Sequence, residues 1–293
     1  MNFKQALEKK LFTVTAEIAP PKGTDISACL EEADLIKELV DGINVTDNQR
    51  AIMRLSPVSL CHKFVQKGYS PILQMTCRDR NRIALQADLL SASVLGIENL
   101  LLLTGDSITA GDHPDAKDVF DLDSVSLLKT AARLNSGYDL HDRKLNGSPQ
   151  FLLGAAVNPG ADPKEMQVIQ MIKKILAGAD FFQTQLVFDI DDFKLFLKLL
   201  KDNSVKKVKI LAGIFPLKTA KQARFLNEKV PGVKIPEALI SRLERSKNQE
   251  QEGIEIAWEI IKQLQNICAG VHLMTMGNKD ILVNLLKRIK TIR

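Results

Sequence analysis

Eight short apolar runs, each about the length of a β-strand, recur along this chain and alternate with stretches patterned for amphipathic helices. The runs are LFTVTAEIA (11–19), DGINVTD (41–47), PILQMTC (71–77), NLLLLTGD (99–106), FLLGAAVN (151–158), DFFQTQLVF (180–188), VKILAGIF (208–215) and GVHLMTM (270–276). Most are rich in β-branched or other large apolar side chains. Between the first two, Ile26, Cys29, Leu30, Ala33, Ile36 and Val40 recur at helical spacing behind Thr24 or Asp25 as N-cap. Phe193, Phe196, Leu197 and Leu200 do the same after Asp189, and a last helix is expected after Asn278. Eight strand–helix repeats predict an α/β chain folded as a (β/α)8 TIM barrel, with residues 1–293 forming a single domain. A doubly wound open sheet is the competing solution, but no GxGxxG follows the first strand and no P-loop pattern occurs. The segment from Val233 to Gln265 holds more helix than one crossover needs, so an additional helix is expected between strands 7 and 8.

Two connections, Ser107–Lys117 and Ser136–Gln150, are long and polar, as functional or mobile loops are. The composition, 45% hydrophobic and 26% charged, suits a large core. The net charge of +5 is modest, and Lys and Arg are interleaved with Asp and Glu, which reads as a solvated surface rather than a nucleic-acid footprint. The mild positive excess still suits a phosphate-bearing small molecule. Cys29, Cys61, Cys77 and Cys268 are scattered without a CxxC pair, as free thiols in a reducing compartment are. No run reaches the ~18 apolar residues of a membrane span, and MNFKQALEKKLF reads as a short charged helix. A cytoplasmic protein with no membrane partner is expected.

Side chains on a strand alternate between faces, so parity sorts each run. In the first, Phe12, Val14, Ala16 and Ile18 form the apolar set expected to meet helices, which turns Leu11, Thr13, Thr15 and Glu17 to the barrel axis. By the same rule Asn44 pairs with Thr46, Gln74 with Thr76, Thr104 with Asp106, and Gln183 with Gln185. Gly154, Ala156 and Asn158 share a face of the fifth run. Polar groups therefore gather where strands end, at the mouth where barrels of this kind carry active sites. Glu17 closes an apolar strand just before two prolines, a place that suits a carboxyl group acting on a ligand.

Other chemistries find little support. His62, His113, His141 and His272 fall on different elements, so no metal site is expected. There is no GxSxG and no Cys–His pair at mouth positions. Gly105 lets backbone approach a flat or phosphorylated ligand closely.

Glu17 before Ala-Pro-Pro, NVTDNQ (44–49), LQMTC (73–77), LLLTGD (101–106), VFDLDS (119–124), GAAVNP (154–159), AGADFFQTQLVFD (177–189), LAGIFPLKTAKQ (211–222) and PGVKIPE (231–237) occur in this order. Together they resemble the methylenetetrahydrofolate reductase family in its short bacterial form, the catalytic barrel alone. The resemblance covers nearly the whole chain and implies a flavin-bearing barrel that reduces 5,10-methylenetetrahydrofolate to 5-methyltetrahydrofolate. It implies Glu17 as general acid, Asp106 beside flavin and pterin, and Gln185 and Gln222 as folate contacts. An aromatic contact falls at Phe225 with a one-residue shift, or at Leu226 without one; Phe225 is favoured. It further implies that Thr46, Asp47, Gln49, Gln74, Thr104, Gly105, Phe120, Asp121, Val157, Asn158, Gln170 and Lys174 lie at or beside the flavin, Lys174 as a phosphate contact.

Gln74, Thr104 and Val157 stand where many members carry His, Arg and an aromatic residue. FAD is the expected cofactor, and these departures make FMN the alternative. The electron donor implied is NAD(P)H or an electron-transferring partner subunit, in a homo- or hetero-oligomer. Two other functions stay open: a folate-binding methyltransferase barrel, and a flavin-free scaffold subunit of a larger one-carbon complex.

Overall fold

Each of the eight runs forms a strand in the computed structural model, which describes residues 1–9, 12–203, 205, 208–275 and 277–293. They are β1 (Thr13–Ile18), β2 (Gly42–Val45), β3 (Pro71–Thr76), β4 (Asn99–Leu103), β5 (Leu152–Val157), β6 (Phe181–Leu186), β7 (Lys209–Ile214) and β8 (Gly270–Leu273). All neighbours are parallel and the sheet closes in sequence order, β8 returning to β1. The register sets Thr15 opposite both Gly42 and His272, and Glu17 opposite Asn44.

The outer layer is made of α2 (Ser27–Ile36), α3 (Pro57–Gln66), α4 (Arg82–Val94), α5 (Ser124–Asn135), α6 (Lys164–Leu176), α7 (Ile190–Asp202), α8 (Ala220–Lys229), α9 (Glu237–Arg245), α10 (Gln249–Leu264) and α11 (Lys279–Lys290). The stretch expected to hold an additional helix holds α9 and α10, so three helices separate β7 from β8. The caps are side chains aimed at orphan amides. Asp189 accepts from Asp191 and Asp192 N–H, and Asn278 accepts from Ile281 N–H. The second helix starts later than its apolar spacing suggested, at Ser27, whose N–H donates to Asp25 at 2.9 Å.

Strand parity divides the core in two. Phe12, Val14, Ala16 and Ile18 belong to the large layer between strands and helices. A smaller cluster fills the barrel itself: Ile72, Leu101, Phe181 and Leu211 from the strands, with Phe3 and Leu7 from the N-terminal helix α1 (Phe3–Lys9). The Phe3 and Phe181 rings meet edge-on, centroids 5.2 Å apart. A Cβ on Gly154 would lie 2.3 Å from the Phe181 ring, so glycine is what admits that ring to the axis. α1 thus stoppers the N-terminal end, and polar groups are left to the other. Leu11, assigned to the axis by sequence parity, and Met276, the last residue of the eighth run, lie outside the described residues.

Of the two long connections, the one after β4 opens on the C-terminal mouth and contains a 3-10 turn at Ile108–Ala110. The one after α5 leads into β5 and so lies at the opposite end, where Tyr138 and Lys144 form an antiparallel bridge. Only the first can contribute to the mouth.

Candidate active site

Above the apolar plug the axis turns polar. Asn44 of β2 and Gln183 of β6 exchange amide hydrogen bonds of 2.8 and 3.0 Å, a bar across the barrel between strands four steps apart either way round. Gln183 Nε2 also donates to Thr15 Oγ1 at 3.2 Å, and Thr15 Oγ1 lies 3.0 Å from His272 Nδ1. All four residues are buried. The other imidazole nitrogen, Nε2, faces Glu17 Oε2 at 3.9 Å.

Glu17 sits on this floor at the open end of β1, its side chain 11% exposed. Gln49 donates to its other oxygen, Oε1, at 3.3 Å. The next residue, Arg50, donates its backbone N–H to Asp106 Oδ2 at 2.9 Å. One short loop after β2 therefore touches both carboxylates that the sequence singled out. That loop is strained: Asn48, Arg50 and Ala51 all have positive φ (43°, 58° and 54°). Asn tolerates this conformation, whereas Arg and Ala adopt it at a cost, and such strain gathers at functional sites.

The loop is held from the far side by the segment after β4. A Cβ on Gly111 would lie 1.9 Å from Ala51 O, so the two backbones interlock. Asp112 accepts from Met53 N–H at 3.0 Å and pairs with Lys22, whose ammonium holds that carboxyl well below the usual carboxylate range. Arg78, just beyond β3, lies beneath the junction with its side chain 2% exposed. It grips the Asp79 carboxylate with two hydrogen bonds of 2.7 and 2.8 Å and donates to Asn48 O at 3.2 Å and Asp106 O at 3.4 Å. Burial opposes ionisation of Asp79, but the Arg78 guanidinium, helped by the Asn48 amide and Arg80, outweighs it and leaves the carboxyl below its ordinary value. Gly105 has φ +101°, and a Cβ there would stand 3.1 Å from both Arg78 and Thr76, which explains the glycine.

The remaining sequence-selected residues divide into two groups. Among the described residues, Thr46 Oγ1 and Asn158 Oδ1 are buried with no partner, although Asn158 Nδ2 donates to Pro231 O at 3.1 Å, and the buried Gln74 makes no side-chain hydrogen bond. Gln185 is exposed at the end of β6, where the register with β7 shifts between Gln183 and Leu186, so strict alternation does not carry from Gln183 to Gln185. Phe225 is 53% exposed on α8, whereas Leu226 packs against the outer core, so Phe225 is the ring with a free face.

The second group is already engaged. Asp47 is buried and accepts from Thr76 N–H and Oγ1 and from Arg80. Asp121 is clasped by the Arg82 side chain and N–H, which hold its carboxyl down to about 2. Lys174 donates to Ala156 O at 2.7 Å, and burial lowers its pKa despite Asp123 nearby. Gln222 Oε1 accepts from Lys218 N–H at 2.8 Å. β4 ends at Leu103 with Leu101 and Leu103 facing the axis, so Thr104 falls on the helix side, accepting from Ser124 N–H at 3.2 Å, rather than pairing inward with Asp106. Val157 likewise belongs to the strand–helix layer. Phe120, partly buried with φ 39°, packs against that layer, and Gln170 is half-buried on α6.

Sequence reasoning missed Arg78 and His272. A charged residue after β3 looks solvent-bound in a string, and His272 was weighed only as a metal ligand. The inward parity of Thr15, Asn44 and Gln183 was the available signal; their mutual pairing was not.

Buried polar groups without partners are rare, so the Thr46 and Asn158 oxygens are the atoms of the first group open to a ligand's polar edge. Among the described residues no three His, Cys, Asp or Glu side chains converge as metal ligands do, and no helix is long and apolar enough to cross a membrane.

Residues 2–290 match the profile of the family described as methylenetetrahydrofolate reductase. The 5,10-methylenetetrahydrofolate reductase of Salmonella typhimurium is 26% identical over 299 residues, covering 96% of this chain and 93% of its own. Methylenetetrahydrofolate reductase 1 of Schizosaccharomyces pombe is 24% identical over 230 residues, 74% of this chain, and the match spans only 35% of that longer relative. In fold, the chain is similar to an uncharacterised Clostridium thermocellum protein that binds two copies of 5-methyl-5,6,7,8-tetrahydrofolic acid. The TM-score is 0.70 at 19% identity, over 99% of each chain.

Proposed function

Because the chain belongs to the methylenetetrahydrofolate reductase family, we propose that it reduces 5,10-methylenetetrahydrofolate to 5-methyltetrahydrofolate at the barrel mouth, with a flavin as resident cofactor. The observation that carries this reading is the placement of Glu17: an acidic side chain at the open end of the axis, nearly enclosed, and linked through Gln49 and Arg50 to Asp106. The folate bound by the similar Clostridium thermocellum protein supports the choice of ligand.

The substrate's one-carbon bridge must open before its carbon can accept a hydride. Glu17 delivers a proton to the amine nitrogen that leaves, and the carbon is released as an iminium; a positioned acid of this kind contributes about 10²–10⁴-fold. Asp106, on its tight Gly105 turn, orients the pterin edge. Gln185, exposed at the end of β6, would hold the folate together with Gln222 and Phe225 of α8. Thr46, Gln74 and Asn158 would hold the flavin by its polar edges, with Gly105 giving backbone access. The flavin, FAD in this reading with FMN as the alternative, supplies the hydride when bound. NAD(P)H or a partner subunit supplies the electrons.

The test is spectroscopic. Purified protein should show oxidised flavin bands, which neither a methyltransferase barrel nor a scaffold subunit requires. After anaerobic photoreduction, methylenetetrahydrofolate should restore them. A spectrum that stays bleached rejects the reductase reading.

A further inference from the structure

We propose that His272 is a positioning residue for Glu17: a neutral imidazole, locked by Thr15 with its proton on Nε2, that holds the Glu17 carboxyl in the orientation from which it gives up its proton. This rests on the functional reading above and adds a residue to it.

The hydrogen bonds around Thr15 fix the tautomer of His272. A hydroxyl has one proton and two lone pairs. Thr15 Oγ1 accepts from Gln183 Nε2, whose second N–H is taken by Asn44 Oδ1. Gln183 Oε1 in turn accepts from Asn44 Nδ2, so the amide pair is closed on itself. The Thr15 proton then has one acceptor within reach among the described residues, His272 Nδ1 at 3.0 Å. An imidazole that accepts at Nδ1 carries its proton on Nε2, and Nε2 is the nitrogen that faces Glu17 Oε2 at 3.9 Å.

The consequence lies in what happens when Glu17 loses its proton. The new carboxylate finds an N–H donor on one side, His272, and the Gln49 amide on the other. At 3.9 Å the first contact is loose, and it shortens to a hydrogen bond as charge develops on Oε2. A donor that strengthens as the proton leaves acts on the transition state more than on the bound substrate.

The same geometry excludes a proton relay. The chain behind His272 runs through Thr15 into the Asn44–Gln183 pair and ends there, buried, in two amides. Fresh protons must reach Glu17 from the mouth. His272 fixes an orientation and passes nothing on.

Two substitutions separate this role from a structural one. His272→Asn places an amide near Nδ1, keeping a partner for Thr15 but offering nothing to Glu17. His272→Gln reaches toward the position of Nε2 and restores a donor there. The folate-dependent reoxidation of photoreduced protein should slow about tenfold or more in kcat in H272N, with KM within about twofold, and return to within about threefold of the parent in H272Q. Flavin content and reduction by an artificial donor should not change. Independently of activity, the ¹⁵N shifts of His272 in histidine-labelled parent protein should report a bare Nδ1 and a protonated Nε2. A proton on Nδ1, equal losses in the two variants, or full activity in H272N would overturn the proposal. If the parent protein fails to reoxidise with folate, the functional reading falls, and the NMR tautomer still decides the state of the imidazole.

Discussion

The backbone N–H of Arg50 donates to the Asp106 carboxylate at 2.9 Å, one residue after Gln49 has turned its amide to Glu17. Acids from the end of β1 and from beyond β4 are thereby tied to a single loop whose backbone is strained at Arg50 and Ala51. A shift in that loop reaches both at once.

Replacing Glu17 by Gln removes the transferable proton and keeps a group of the same shape for Gln49 to meet. E17Q should bind flavin and accept electrons from an artificial donor as the parent does, while folate-dependent turnover falls by about 10²–10⁴-fold. Separate anaerobic half-reactions measure the two. Parent-like folate turnover would remove Glu17 from the chemistry.

Asp106 has two jobs that substitutions can part. D106N retains an oxygen for the Arg50 N–H but loses the charge; D106A loses both. Both should slow the folate half-reaction about tenfold or more, whereas only D106A should expose the strained loop to limited proteolysis between residues 48 and 54. Equal cleavage of the two variants would mean that the Arg50 contact does not hold the loop.

Arg78→Ala leaves the Asp79 carboxylate without its bidentate partner and frees the carbonyls of Asn48 and Asp106. Because Asp79 keeps some solvent contact, the expected loss is about 2 kcal/mol, below that of a fully buried pair. Urea unfolding of the variant against the parent measures it. A loss under about 0.5 kcal/mol would class the contact with ordinary surface pairs.

The Arg82–Asp121 clasp carries a pH signature. Asp121 is held at about 2, below its unfolded value near 4, so the pairing favours the folded chain above that unfolded value. The contribution fades as pH falls through the interval between the two. An NMR titration of Asp121 should place its midpoint at the low end, and R82A, which removes the guanidinium but keeps the backbone N–H, should raise it part of the way toward its unfolded value. An unchanged midpoint in R82A would assign the shift to another source.

Much of this was legible in the string. Strand parity, read from Val14, Ala16 and Ile18 against Thr15 and Glu17, sorted the two layers of the core because period 2 leaves no choice once one face is apolar. It failed at Thr104, one residue past the end of β4: with Leu101 and Leu103 on the axis, alternation itself puts Thr104 on the helix side, where its hydroxyl accepts from the first amide of α5. The polar floor was half visible: Thr15, Asn44 and Gln183 could be set on the axis, but which of them meet depends on register around a closed sheet. Arg78 could not be read at all. Its burial comes from three loops converging over it, and nothing local in TCRDRNR marks which arginine goes under. The engaged states of Asp47 and Asp121 were hidden for the same reason, since their arginine partners lie more than thirty residues away.

Phe3 and Leu7, wedged among Phe181, Leu101 and Leu211, turn the barrel into a cul-de-sac. A visitor can leave only by backing out through the doorway it used. Traffic to and from the polar floor is thereby confined to one side of the molecule, and that side is set by a helix at the opposite end.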